Sequence, residues 1–361
     1  MSPRAGGGGA GVEEGSVMTV TGPLAAADLG LVLPHEHLIA NATSQWRVPE
    51  SDEDLAEQTR PYRAELHGKV QTQPFSYRSA MQQLDLDVAL TELRSYAAAG
   101  GGTVVELGIP GYGRDAAALQ VLSRLSGVPV VMGCGEYVAH SHSPYVRHVG
   151  AEVVRDVLID EITVGVGATG VRAGIIGEIG SGNPVDEQEL KVLDAAAMAH
   201  LETGVPINIH RSIFPDPMAG LVALDRVLDH GVDPAKVVVS HCDERPEPEF
   251  ALAVAERGAW AELDTFGMEQ WASTARQGTT YPARSYDHHR IDMLLRLLDA
   301  GHLDRVLLSH DIAMKPQFSA YGGWGLTHLL TNIRPQLEAR GVAPAEVDRI
   351  MRDNPRRMLA G

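Results

Sequence analysis

Histidine and carboxylate residues recur where apolar, β-branched runs of this sequence end. Six residues occupy such positions: His35, His37, Glu178, His210, His241 and Asp311. His35 and His37 are two residues apart, so both side chains project on the same side of an extended backbone. The other four follow later runs at intervals of one or two strand–helix repeats. We therefore expect all six side chains to meet at one end of a parallel sheet.

The chemistry of these side chains favours metal binding. Four imidazoles and two carboxylates suit zinc or a similar divalent ion better than calcium or magnesium, which prefer oxygen ligands alone. Any one of these residues alone is more often a hydrogen-bonded side chain, but six in register favour a metal centre. Six ligands exceed the needs of one catalytic zinc and match two ions that share a carboxylate. The predicted cofactors are two divalent metal ions, with Zn²⁺ as first choice and Mn²⁺, Co²⁺ or Fe²⁺ as alternatives.

The elements that must position these residues form a regular alternation. Eight strand candidates cover residues 31–34, 103–107, 128–133, 173–179, 205–209, 237–240, 259–263 and 305–309. Amphipathic segments long enough for crossover helices separate them, giving units of about thirty residues. This pattern predicts an α/β fold, a (β/α)8 TIM barrel, whose active site lies at the carboxyl ends of the strands. A short ribbon at residues 18–22 precedes the barrel, a polar insertion at 41–83 follows its first strand, and three helices end the chain.

Length and composition limit the protein's class. The 361 residues carry a net charge of −17 and no basic block, which excludes a nucleic-acid-binding surface. There is no apolar run of about 18 residues, so a membrane span is not expected. Residues 1–16 are predicted to be a disordered tail rather than a signal peptide, and residues 17–361 a single TIM-barrel domain. Two cysteines fit a reducing compartment, and we expect a cytoplasmic homodimer acting on a small-molecule substrate.

Several motifs of the chain resemble the phosphotriesterase family of the amidohydrolase superfamily. They are LPHEHL at 33–38, GIIGEIG at 174–180, PINIH at 206–210, SHCD at 240–243 and LSHD at 308–311. The resemblance covers about residues 17–360 and implies a binuclear metal-dependent hydrolase. By this resemblance, His35, His37 and Asp311 would hold the more buried metal. His210 and His241 would hold the more exposed metal, and Glu178 would bridge the two.

Two positions depart from the best-known members of that family. Where those members carry a carboxylated lysine, this chain has Glu178, as in the subgroup of phosphotriesterase-related proteins. Where phosphotriesterases proper have Asp-His after the seventh strand, this chain has Asp264-Thr265. Threonine cannot relay a proton near neutral pH as histidine can, so efficient phosphotriester hydrolysis is not expected.

The resemblance implies a mechanism in which a hydroxide between the metals attacks the substrate. Asp311 would accept the proton and pass it to the leaving group. Tyr137 would donate a hydrogen bond to the polarised oxygen, as resembling lactonases suggest, although a packing role is an equal alternative. The predicted substrate is a carboxylic amide, ester or lactone. A phosphotriester is the alternative, and a non-catalytic binding barrel is disfavoured because no ligand is missing.

Three basic residues are candidate substrate contacts: Arg290, His310 and Lys315. They stand in segments expected to face the mouth of the barrel, where they would favour an anionic group such as that of an N-acyl amino acid. Ion pairs on an acidic surface explain them equally well.

Overall fold

Eight parallel strands surround the centre of the molecule in the computed structural model, which describes residues 15–49, 51–269 and 285–360. The strands are Val32–Glu36, Thr103–Glu106, Val130–Cys134, Ile175–Ser181, Ile207–Arg211, Val237–Val239, Trp260–Leu263 and Val306–Leu308. Each pairs with its neighbours in chain order, so the order of the strands in the sheet is their order in the sequence. The predicted (β/α)8 barrel is confirmed.

The barrel is closed between its first and last strands by hydrogen bonds around their carboxyl ends. The Ser309 hydroxyl accepts from the backbone N–H of His35 at 3.0 Å and donates to the His35 carbonyl at 2.8 Å. The N–H of Asp311 donates to the same carbonyl, and the N–H of His37 donates to the carbonyl of Ile312. The closure therefore runs through the residues that carry three of the predicted ligands.

Helices alternate with the strands on the outside of the barrel. They are Leu86–Ala98, Ala116–Ser126, Ala151–Thr163, Glu187–Thr203, Gly220–Asp229, Glu249–Glu256 and Asp287–Asp299. Local signals begin and end them: Asp115 accepts from the N–H of Ala118, and Gly127 ends that helix in the left-handed region. These helices match the predicted amphipathic segments to within a few residues.

Adjacent strand residues pack into two different apolar layers. Val104 belongs to the large cluster between sheet and helices, whereas Val105 belongs to a smaller cluster inside the barrel. The inner cluster also contains Trp260 and is closed by Met358 and Leu359 of the last helix. The amino end of the barrel is thus filled with apolar side chains, which leaves its carboxyl end for polar residues.

The remaining segments surround this core. The amino-terminal ribbon pairs Ser16–Thr19 with Gly22–Ala25, so it begins one residue inside the predicted tail, whose residues 1–14 lie outside the described ones. The insertion after the first strand has paired ends, Ala40–Asn41 with Gln82–Gln83, and contains the helices Asp52–Gln58 and His67–Thr72. The carboxyl-terminal helical segments are Leu329–Ile333, Arg334–Ala339, Pro344–Asp348, Arg349–Asp353 and Asn354–Ala360. Among the described residues, no helix combines the length and apolarity needed to cross a bilayer.

Candidate metal centre

Glu178 lies at the middle of a group of imidazoles. Its Oε1 atom is 2.9 Å from Nδ1 of His210, 2.9 Å from Nε2 of His241 and 3.7 Å from Nε2 of His35. These residues come from the first, fourth and fifth strands and from the turn after the sixth. One carboxylate oxygen therefore faces three imidazole nitrogens, as expected for a group that bridges two metal ions.

Asp311 faces the same centre from the turn after the eighth strand. Its Oδ1 atom lies 3.2 Å from Nε2 of His37 and 3.7 Å from Nε2 of His35. The side chain of Asp311 is 15% exposed, whereas those of His35 and His37 are almost fully buried. Asp311 is thus a ligand candidate that also reaches the open side of the site.

The donor set and its spacing fit two divalent cations. Two of the three groups whose ligand atoms lie within 4.8 Å of one another consist of predicted ligands: His35, Glu178 and His241, and His35, His37 and Asp311. Ligand atoms that share one zinc ion at about 2.0–2.2 Å lie about 3–4 Å apart, which matches these distances. Nε2 of His35 is buried and has no hydrogen-bond partner among the described residues. The carboxylates of Glu178 and Asp311 each lie 3.7 Å from this nitrogen. A cation between these groups would satisfy that nitrogen.

Two further carboxylates lie behind the histidines. Nδ1 of His35 is 3.0 Å from both Glu262 and Asp264, and Nδ1 of His241 is 3.2 Å from Asp264. A carboxylate that accepts from Nδ1–H leaves the Nε2 lone pair for a metal. Burial raises the pKa of Glu262 to about 7. Burial alone would also raise the pKa of Asp264, but the His241 imidazole holds it well below its usual value.

The residues after the sixth and eighth strands adopt an unusual backbone conformation. His241 and Asp311 have φ angles of 57° and 47°, which non-glycine residues rarely adopt. The Glu36 carboxylate holds the second of these turns, because it accepts from the N–H of His310 at 3.0 Å and from that of Ile312 at 3.1 Å. Glu36 is therefore a positioning residue for Asp311.

A cavity of about 540 Å³ opens over this centre. Five of the six predicted ligands line it: His37, Glu178, His210, His241 and Asp311. Only His35 is missing from the described lining, because its ring lies beneath the others and is fully buried. The cavity is large enough for a small molecule and brings it into contact with both halves of the centre.

Tyr112 and Tyr137 form part of the cavity wall, and the centroids of their rings lie 5.3 Å apart. The hydroxyl of Tyr137, a predicted catalytic residue, is 3.3 Å from the His210 ring nitrogens and accepts from Nε2 of Gln45 at 3.1 Å. Burial, together with the nearby carboxylates, holds the pKa of both Tyr112 and Tyr137 well above the usual value. Both are therefore neutral hydrogen-bond donors at physiological pH.

The predicted substrate contact Arg290 lies outside the described lining of this cavity. Its side chain is 1% exposed and donates to the Thr265 hydroxyl, to Asp287 and to the carbonyls of Met268 and Ser285. The prediction is corrected: Arg290 points from the first turn of its helix into the protein, where its bonds join Thr265, Met268 and Ser285 to that helix.

The other two predicted contacts also lie outside the described lining of the cavity. His310 is 1% exposed, with Nδ1 2.6 Å from Glu36 and Nε2 accepting from the N–H of Leu329 at 3.1 Å. The ammonium of Lys315 lies 5.7 Å from the ring centroid of Tyr321 and outside the described lining. We therefore no longer assign either residue to the substrate.

Sequence reasoning missed several residues that shape the site. Glu262 and Asp264 lie two residues apart at the seventh strand, and Glu36 lies between the first two ligands. Acids on a buried strand are a detectable signal, because a carboxylate enters a barrel only with partners. Tyr112 gave a weaker signal, a lone aromatic in the loop after the second strand.

Comparisons with known proteins agree with this architecture. The model of the phosphotriesterase family matches residues 15–359. The N-acetyltaurine hydrolase of Salmo salar is 34% identical over 346 residues, which cover 96% of this chain and 98% of that protein.

Two solved structures are similar over nearly the whole chain. A resiniferatoxin-binding protein from Rhodobacter sphaeroides has a TM-score of 0.91 and 33% identity, covering 97% of this chain and 96% of its own. A phosphotriesterase homology protein from Escherichia coli, solved with phosphate in its active site, has a TM-score of 0.74 and 29% identity, covering 92% of this chain and 99% of its own.

Proposed function

Since the chain belongs to the phosphotriesterase family and is a metal-dependent hydrolase, we propose that its substrate is a carboxylic amide with an anionic amine portion. The observation that carries the proposal is the similarity over 96% of the chain to N-acetyltaurine hydrolases, combined with a centre suited to amide hydrolysis. N-acetyltaurine joins an acetyl group to an amino sulfonate through an amide bond. An N-acyl amino acid has the same arrangement with a carboxylate in place of the sulfonate.

The six ligand residues would hold two divalent ions, with Zn²⁺ as our first choice because imidazole nitrogens dominate the set. His35, His37 and Asp311 are proposed for the buried ion, and His210 and His241 for the exposed one. The remaining carboxylate, at the middle of the group, is proposed as the bridge. When bound, such ions lower the pKa of a water molecule and polarise the carbonyl of the substrate.

The chain's own residues supply proton transfer and orientation. Asp311 reaches the cavity and is proposed to accept the proton of the attacking water and to deliver it to the amide nitrogen. An amine leaves only when it is protonated, so this delivery matters more for an amide than for an activated ester. Tyr137 is proposed to donate to the carbonyl oxygen. Since its own oxygen accepts from Gln45, its proton is available to another acceptor.

We expect Tyr137→Phe to lower kcat at least about tenfold with a smaller change in KM, because the lost donor acts on charge that develops during the reaction. Steady-state kinetics on the metal-loaded enzyme checks this. Tyr145→Phe, which removes a hydroxyl outside the described cavity lining, is the control. A variant with unchanged kcat and raised KM would instead assign Tyr137 to binding alone.

Fully active protein prepared without chelator should contain two divalent ions per chain, because six ligands surround the centre. Adding bicarbonate during metal reconstitution should leave activity unchanged, because Glu178 supplies a carboxylate without carbon dioxide. Elemental analysis beside activity assays measures both. One ion or fewer at full activity, or a gain with bicarbonate, would contradict the proposed bridge.

The substrate class is tested by assaying N-acetyltaurine, N-acyl amino acids, lactones and paraoxon-type esters at matched metal content. We expect the amides to give a higher kcat/KM than the phosphotriesters. Thr265, at the position of the family's relay histidine, is fully buried and accepts from Arg290 at 2.9 Å, so it offers no titratable group there. Paraoxon-type esters exceeding every carbonyl compound tenfold would favour the phosphotriesterase alternative. Lactones or esters exceeding all amides would place the substrate in those classes.

Assembly and location are proposals from the sequence alone. We propose a homodimer, which light scattering coupled to size exclusion would test. The described structure contains two buried free cysteines, which fits the proposed cytoplasmic location.

A further inference from the structure

The described wall of the cavity contains two arginines, Arg47 and Arg211. Arg211 is 1% exposed, and its guanidinium is held in place by bonds to protein carbonyls. Nε donates to the His241 carbonyl at 3.1 Å and Nη1 to that of Pro217 at 2.7 Å. Its bonds therefore support the turn that carries His241. Arg47 is half-buried and also lines the cavity.

Arg47 is fixed to the neighbouring segment of the insertion. Its N–H donates to the Phe75 carbonyl at 2.9 Å, and its guanidinium carbon lies 5.7 Å from the Phe75 ring centroid. The adjacent Trp46 donates from Nε1 to the Ser76 carbonyl at 3.0 Å. These contacts limit the movement of the loop, and a guanidinium over an aromatic face still donates hydrogen bonds in its own plane.

The same loop also touches the catalytic end of the cavity. Gln45, two residues before Arg47, donates to the hydroxyl of Tyr137, which lies beside His210. Two residues of extended chain span at most about 7 Å, so the Cα atoms of Gln45 and Arg47 lie within that distance, and both residues line the same cavity. One short loop thus brings both residues to the cavity.

The charge of the molecule favours a local cation for an anionic substrate. The chain carries a net charge of −17, and the two proposed ions would offset the carboxylates of Glu178 and Asp311 only at the floor of the cavity. Away from that floor, an anionic group is stabilised by an opposite charge near its own position. Planar guanidinium groups bind carboxylates and similar oxyanions through paired, charge-assisted hydrogen bonds.

We propose that Arg47 binds the anionic group, a sulfonate or carboxylate, of an N-acyl substrate whose amide lies over the metal centre. This inference rests on the proposed amide hydrolase function and deepens it. The substrate's acyl group then lies toward the metal ligands and Tyr137, and its amine portion extends toward the insertion.

The test compares the wild type with Arg47→Met on three amides: N-acetyltaurine, N-acetyl-β-alanine and the neutral N-acetyl-β-alaninamide, each followed by acetate release. We expect kcat/KM for the two anionic amides to fall about 10-fold to 100-fold, mainly through KM, as for the loss of a charge-assisted hydrogen bond. The value for the neutral amide should change less than about threefold. Arg47→Lys should retain part of the preference.

Arg78→Met is the matched control. Arg78 lies 5.7 Å from the ring centroid of Trp46 on the same loop, but it is exposed and outside the described cavity lining. This variant should leave the kinetics of all three amides within about twofold of the wild type. Equal losses for anionic and neutral amides in Arg47→Met would show that Arg47 acts only on loop structure, and unchanged kinetics would overturn the inference directly.

Calorimetric binding of N-acetyltaurine to metal-loaded protein separates this inference from the proposed function. If the wild type binds the compound without releasing acetate, the proposed activity fails. Tenfold or more weaker binding to Arg47→Met would then still support the anion site. Equal binding by both proteins, or no binding by the wild type, would overturn the site.

Discussion

The Glu178→Gln variant should contain at least one metal ion fewer per chain than the wild type. Its turnover should fall below about one-hundredth of the wild-type value. The side chain is 2% exposed, and one of its oxygens faces His35, His210 and His241 at 3.7, 2.9 and 2.9 Å. The amide of glutamine has nearly the same size but carries no charge and presents one oxygen instead of two. Two cations held by the remaining ligands would then repel each other without the shared negative group.

Elemental analysis and kinetics on the same preparation measure this effect, and circular dichroism checks the fold. Glu189→Gln is the matched control: Glu189 is also 2% exposed and lines the same cavity, but it accepts from the backbone N–H groups of Ala139, Gly182 and Asp186. This control should keep both metal ions, even if it lowers thermal stability. A Glu178→Gln protein with two ions and more than a tenth of wild-type turnover would remove Glu178 from the bridge.

The barrel could be predicted from sequence because its strands are short apolar runs with β-branched residues. Strand ends were less well predicted where ligands lie within the ladder. The fifth strand was expected to end at residue 209, but Gly180 pairs with His210 and Ser181 with Arg211. A polar residue in the sequence predicts the end of a buried strand, whereas here His210 continues the strand pairing and points into the site.

The helices of the insertion after the first strand were not predicted. Asp52–Gln58 and His67–Thr72 are seven and six residues long, too short for a clear apolar period. The first helix does carry a local signal, since Ser51 caps it and Asp52 begins an acidic first turn. Packing against the rest of the chain, which sequence does not reveal, stabilises such short elements.

The meeting of the six side chains was predictable because strand ends in a parallel barrel lie at one face, whatever the details of packing. The direction of a loop side chain was not. Arg290 and His310 stand close to the barrel's mouth along the sequence, but Asp287 and Glu36 hold them inside the protein. Arg47 gave no sequence signal, since only the folded insertion brings it to the cavity.

Asp311→Asn should lower turnover of amide substrates by about 10² or more, the scale of a general acid–base group. Asparagine keeps the shape of the side chain, but its amide cannot accept a proton and return it to the leaving nitrogen. The turn should persist because backbone groups hold it: the N–H of Asp311 donates to the His35 carbonyl, and Gln317 donates to the carbonyl of Asp311. The loss should therefore appear in kcat rather than in thermal stability.

The leaving group distinguishes proton delivery from metal binding. The p-nitrophenolate of an activated ester such as p-nitrophenyl acetate leaves without a proton, so Asp311→Asn should slow the hydrolysis of this ester less than that of N-acetyltaurine. Loss of a metal ligand would instead slow the hydrolysis of both substrates and lower the metal content found by elemental analysis. Asp311 is a ligand candidate because its Oδ1 atom lies 3.2 Å from Nε2 of His37. Lys315→Met, in the same loop but outside the described cavity lining, is the control and should leave both rates within about twofold. A variant with full metal content and unchanged amide turnover would remove Asp311 from the proton path and leave it a ligand only.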